Sequence, residues 1–236
     1  MDTLVLGFIG FLTSLVAGVA GLGGGLLLIA VLPSFLSVNA LIPIHGLSQL
    51  SSNLSRAYFG YKDIRYKIVP EFLIGSLVGV GAFALILSAI STKYIPLFIG
   101  TYILLSIYSQ RFNDKIRKYE NYYVIGFFQS GLSVVVGTTG PLAMTKLLND
   151  FREKDTVVAT SAILMGITHL LKIAVFIYFG FAFLDYLGVI IAMIVGTVLG
   201  SYAGTKIRDK INGERLITIL KILLTIMAVK SIITVF

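Results

Sequence analysis

The chain has 236 residues, of which 57% are hydrophobic and 13% charged. Soluble domains carry about a quarter charged residues, so this is read as an integral membrane protein with no room for a soluble domain. Cysteine is absent, which excludes a disulfide framework, thiolate chemistry and cysteine-ligated metal. The formal charge of +8 could suit nucleic acid, but the cations gather in short loops between apolar segments, as cytoplasmic loops beside anionic headgroups do.

In chain order, apolar segments are expected at 3–32, 38–60, 68–91, 94–110, 122–148, 156–180, 184–206 and 214–236. All reach the roughly 17 residues that one crossing needs. The first is too long for a single straight helix and carries Gly18-Val-Ala-Gly21-Leu-Gly23-Gly24-Gly25. Five glycines in eight residues cannot propagate a stable helix. A helix broken inside a membrane exposes backbone polar groups, tolerated only where protein or a water-filled cavity receives them. That stretch is therefore expected to line a binding cavity. The segment lacks a basic leader and an A-x-A-like site, so it reads as mature structure rather than a signal peptide. Tyr58, Phe59, Tyr94, Tyr122, Tyr123, Tyr178 and Phe179 fall near segment ends, as an interfacial aromatic belt would.

The chain also matches itself. Gly126-Phe127-Phe128 falls under Gly7-Phe8-Ile9, and Gly137-Thr138-Thr139-Gly140 under Gly18-Val19-Ala20-Gly21, at an offset of 119. Ala57-Tyr58-Phe59-Gly60 matches Ile177-Tyr178-Phe179-Gly180 at 120, and Gly75 and Gly79 match Gly196 and Gly200 at 121. An internal duplication accounts for this ordered series. One transmembrane domain, 1–236, then comprises repeat one (1–110), a basic linker (111–121) and repeat two (122–236). The GxxxG pairs are read as close helix packing.

Lys and Arg cluster at 62–67, 111–118, 146–154 and 206–215. The positive-inside rule places all four loops in the cytoplasm of a multi-pass cell-membrane protein. Segment 122–148 then begins and ends inside, so it enters and returns as a re-entrant hairpin broken at Gly137–Gly140. Residues 3–32 form the matching hairpin from outside, although 3–20 is long enough to span fully. One hairpin plus three spans per half reverses the orientation of the second half. The fold class is an all-α polytopic membrane protein of two inverted repeats, the plan of many secondary transporters that bind substrate at discontinuous helices.

Ionisable groups inside spans mark function. The carboxylates all lie in loops or at segment ends, while Arg56, His169, Lys172 and Lys221 lie within spans. Such an interior suits an anion. His45, Gln49, Ser52 and Arg56 share one helix face, with Asn53 beside them. In the second half Met165, His169 and Lys172 hold the matching positions, so Gln49 pairs with His169 and Ser52 with Lys172. Helix N-termini after Gly23–Gly25 and after Gly140 offer free N–H groups to an anion. Thr138 and Thr139 add hydroxyls, and Pro141 suits a first helical turn. The expected anion-binding set is Gly21, Gly23, Gly24, Gly25, Gln49, Ser52, Asn53, Thr138, Thr139, Gly140, His169 and Lys172, with His45 and Arg56 secondary. His45, Lys221 and Lys230 also read as interfacial, and Arg56 equally as a lipid-phosphate anchor.

The motif Gly18-x-x-Gly21-x-Gly23-Gly24-Gly25, followed by an apolar half-helix ending in Pro33, resembles the TauE/SafE-type sulfite exporter family. The second-half Gly137-Thr138-Thr139-Gly140-Pro141 is similar to it too. The resemblance covers essentially the whole chain. It implies transport of sulfite, sulfonates or related organosulfur anions, without fixing which one or its direction. The partners expected are a small anionic substrate and membrane lipids, with no nucleic acid and no cofactor or metal; self-association into a homo-oligomer stays open. An anion channel, a carrier of a small carboxylate and a non-transporting scaffold are the alternatives. An intramembrane enzyme would need a nucleophile–base pair or a metal cluster, which the sequence does not offer.

Overall fold

A computed structural model describes residues 2–21, 23–89, 91–111, 121–139, 141–208, 213–233 and 235. The middle of the basic linker and Gly140 lie outside these residues. Among the described residues the chain is helical, without a strand. Its helices are α1 (Asp2–Ala20), α2 (Gly24–Val31), α3 (Val38–Phe59), α4 (Val69–Ala89), α5 (Ile95–Tyr108), α6 (Tyr122–Val136), α7 (Pro141–Asp150), α8 (Lys154–Tyr178), α9 (Leu187–Ile207) and α10 (Gly213–Ile233). These bounds follow the apolar segments closely, and both long segments break where the glycines stand. The protein is an all-α, polytopic membrane protein.

Four stretches, Thr3–Ala20, Tyr66–Ala89, Lys154–Tyr178 and Phe183–Ile207, are long and apolar enough to cross a bilayer by length and composition. At 1.5 Å per residue, α1 measures about 28 Å and α2 about 12 Å, whereas α6 and α7 measure about 22 and 15 Å. Each broken segment thus has a long arm and a short arm, most unequal in the first. Leu4, Phe8, Leu77, Val78, Leu85, Ile191, Val195 and Leu199 are exposed along α1, α4 and α9; they form an outward apolar surface that fits lipid. By contrast, α3 carries its polar residues inward: His45, Gln49, Ser52, Asn53 and Arg56 are all buried.

The helices do not sort by half of the chain. The long arm α1 runs beside α9, and the long arm α6 beside α4. A Cβ at Gly196, Gly200 or Gly204 would strike the carbonyl oxygen of Gly7, Phe11 or Leu15. Added at Gly75 or Gly79, it would strike that of Tyr123 or Phe127. Contact positions rise together along each pair, so both pairs are parallel. The glycines serve backbone-to-backbone approach, as the GxxxG spacing implies. Packed against α1, α3, α5 and α10, α2 is buried through Leu26, Leu27, Leu28, Ile29 and Ala30.

Arg208, from the last basic cluster, is drawn inward. Its Nε donates to Gly18 O at 2.9 Å, and its Nη1 lies 2.7 Å from Asp155 Oδ1. The Asp155 side chain is 72% exposed, so the ion pair itself contributes under about 1 kcal/mol. The bond to the end of α1 is the buried one. Asp155→Asn is therefore expected to melt near the wild-type temperature in detergent, whereas Arg208→Gln loses about 1–3 kcal/mol. Equal losses in the two would reverse this assignment.

Candidate anion site

The chain turns back at each break on glycines with left-handed backbone. Gly21 and Gly23 have φ of 77° and 92°, and Gly137 has φ of 83°. A side chain would be strained there. Each break rests on the short arm of the other broken helix. A Cβ at Gly137 would lie 2.9 Å from Ile29 of α2, and one at Gly21 would lie 3.3 Å from Met144 of α7. At Gly25 it would sit 3.0 Å from Thr138 Oγ1 and 3.1 Å from Gln49 Oε1. The two breaks meet.

The ends of the four arms are satisfied unequally. Buried cations serve the carbonyl ends of both long arms, where the helix dipole is negative. Arg56 Nη1 donates to Ala17 O at 3.1 Å and Arg208 to Gly18 O, while Lys172 Nζ donates to Gly137 O at 2.6 Å. At the amide end of α7, Gln129 Oε1 accepts from Ala143 N at 2.9 Å. Thr139 Oγ1 donates to Gln129 O at 2.5 Å. The amide end of α2 is different. Its N-cap is Gly23, which has no side chain to offer.

That open end faces a cavity of ≈ 30 Å³, lined by Gly21, Gly23, Gly24, Gly25, Gln49, Asn53, Arg56, Thr138, Ser161 and Met165, with Ala17 and Leu26. Gln49 Nε2 and Arg56 Nε are buried and have no hydrogen-bond partner. Asn53 orients the guanidinium: its Oδ1 accepts from Arg56 Nη2 at 2.5 Å, and its Nδ2 donates to Gln49 O at 2.7 Å. Among the described residues no aspartate or glutamate lines the cavity. Amide N–H groups at a helix start, a free carboxamide N–H and a guanidinium form a set of donors, and such a set binds an oxyanion.

The chain matches the family described as Sulfite exporter TauE/SafE over residues 6–231. It belongs to the TauE/SafE family. No curated protein and no solved structure matches it. As a TauE/SafE protein it is a multi-pass membrane protein of a family of transporters, and its family implies a small anionic substrate and a lipid setting.

In this TauE/SafE chain the cavity gathers Gly21, Gly23, Gly24, Gly25, Gln49, Asn53, Thr138 and Arg56 of the expected set. Four others stand apart. Ser52 joins helices, accepting from Ser14 Oγ at 2.9 Å and lying 3.2 Å from Ser201 Oγ. Thr139 is committed to Gln129 O, and Lys172 to Gly137 O. The His169 ring lies against His45, centroids 5.6 Å apart, with neither nitrogen hydrogen-bonded. Two expectations are corrected. His45 is fully buried rather than interfacial, because α2 and α8 close over that turn of α3: its Nε2 lies 2.9 Å from Gly25 O and its Nδ1 3.3 Å from Lys172 Nζ. Arg56 is 7% exposed and spends its guanidinium on Ala17 and Asn53, which leaves it no reach to lipid phosphate. Lys221 and Lys230 are exposed, in keeping with an interfacial place.

Sequence reasoning passed over Gln129 and Ser161, and it aligned Met165 with His45 without counting it in the binding set. The signal for Gln129 was present, as a lone amide inside an apolar run that ends in a break.

Proposed function

We propose that the protein is a secondary transporter of a small sulfur oxyanion, sulfite or an organosulfonate, bound at the start of α2. One observation carries this reading. The uncapped α2 N-terminus, Gln49 Nε2 and the Arg56 guanidinium converge on one cavity without a carboxylate. Thr138 adds a hydroxyl from the facing break. The cavity holds roughly one water's volume, so the breaks must part to admit an oxyanion.

Alternating access in a fold of two inverted repeats is the mechanism, and the crossed pairing of α1 with α9 and α4 with α6 gives each moving body one long arm and a partner helix from the other half. With the four basic clusters facing the cytoplasm of the cell membrane, the far end of the bundle faces outward. There a vestibule of ≈ 530 Å³ is lined by Val38, Ile42, Leu87, Phe176, Phe179 and Phe181, among others. Ile29 and Ile42 are both buried against Gly137, between that vestibule and the cavity. This apolar layer favours a gated carrier over an open channel.

The test is a melt in detergent with sulfite, methanesulfonate, acetate or chloride. A ligand at a hundred times its Kd adds about 2.7 kcal/mol. Sulfite, methanesulfonate or both are expected to raise the melting temperature above chloride. A shift with acetate and none with the sulfur anions would remove the sulfur assignment.

A further inference from the structure

Below the apolar layer, one hydrogen-bond chain ties the two breaks together. Gly25 O can only accept, so His45 Nε2, 2.9 Å away, carries a hydrogen. The lone pair of Nδ1 therefore faces Lys172 Nζ at 3.3 Å. Lys172 donates in turn to Gly137 O at 2.6 Å. The chain runs from the carbonyl of the first break, through an imidazole and an ammonium, to the carbonyl of the second. His45 and Lys172 are both fully buried.

We propose that this chain is the coupling-proton site, and that the protein moves its anion together with a proton accepted by His45. The inference rests on the transport reading above. A proton arriving from the aqueous phase bonds to Nδ1 and converts the imidazole to imidazolium. Nδ1–H then points at Nζ–H, donor against donor, and the link between the breaks is severed. Release of that proton on the other side restores the lone pair and the link. The groups facing His45 are Lys172 and His169 from α8 and backbone carbonyl from α2; Arg56 lies further along α3. Among the described residues no aspartate or glutamate is buried. A second buried positive charge without a counter-charge is costly, so it is tolerated when an anion occupies the neighbouring cavity. Gly25 belongs to both, its carbonyl holding His45 and the residue itself lining the cavity. Proton and anion thus favour each other reciprocally, and both open the same contact.

Methanesulfonate is the probe because it does not itself titrate near neutral pH, so any proton moved is moved by the protein. In proteoliposomes with the membrane potential clamped, a methanesulfonate gradient should carry about one proton per anion, read by an internal pH dye against tracer flux. A pH gradient alone should drive methanesulfonate uphill. His45→Gln should lower the proton-to-anion ratio toward zero, while Lys172→Arg, which keeps donors for both acceptors, should keep it. Methanesulfonate flux without proton movement in the wild type overturns this inference and leaves the transport reading standing. A ratio unchanged in His45→Gln does the same. No methanesulfonate flux at all overturns the transport reading for sulfonates and the coupling inference with it.

Discussion

Gly25→Ala is expected to leave the protein folded and to remove anion recognition. Gly25 has ordinary helical backbone, so alanine costs nothing in φ and gains helix propensity. Its Cβ, however, would stand 3.0 Å from Thr138 Oγ1 and 3.1 Å from Gln49 Oε1. Both are ends of side chains that can swing aside, so the helices need not move. The swing fills a cavity of only ≈ 30 Å³ and displaces the two groups that shape it. Sulfite affinity should fall at least about tenfold, or about 1.4 kcal/mol, in the melting assay, with an unchanged size-exclusion profile. Gly24→Ala is the contrast. Its Cβ would meet Thr13 O and lie 2.7 Å from Ala17 Cβ, both on α1. Backbone cannot swing away, so this variant should lose folded yield. Full sulfite binding by a folded Gly25→Ala protein would move the site elsewhere.

Lys172→Met should be among the most destabilising single changes. Methionine is of similar length and apolar, so no cavity opens. What is lost is, among the described residues, the only side-chain donor within 3.0 Å of Gly137 O, at the carbonyl end of α6. His45 Nδ1 loses its donor as well. Each buried acceptor left unpaired costs about 1–3 kcal/mol. The melting temperature should drop clearly without ligand, and Lys172→Arg should recover part of it. A Lys172→Met protein as stable as wild type would show that the ammonium is not what closes α6.

The reason for that prediction also marks where the sequence stops being readable. Hydropathy located the helices α1 to α10, because lipid-facing segments must be apolar whatever they pack against. Glycine located both breaks, because Gly23 and Gly137 need backbone that other residues resist. The spacing of Gln49, Asn53 and Arg56 placed them on one face of α3, and the cavity lies against that face. What periodicity could not supply is which carbonyl a long side chain finds. Lys172 and Lys221 look alike in sequence, yet α8 packs across the end of α6 and carries the Lys172 ammonium to Gly137, whereas Lys221 is exposed. Arg208 sat in a cluster that hydropathy assigns to water, and the parallel fit of α9 on α1 turned it onto Gly18. Pairing by repeat offset set Ser52 opposite Lys172, but Ser52 faces α1 and α9, and Lys172 faces His45 instead.

The glycine-lined contacts of α1 with α9 and of α4 with α6 bear on how such a molecule can move. A cut between residues 1–110 and 122–236 would part both of these interfaces, where backbone meets backbone with no side chain to act as a lubricant. Those two pairs are welded joints. In the proposed transport cycle the seam that opens therefore runs between these two pairs, not between residues 1–110 and 122–236. Whatever slides must carry a long arm from one half together with its clamp from the other, as two crossed blades turn on a pivot that belongs to both.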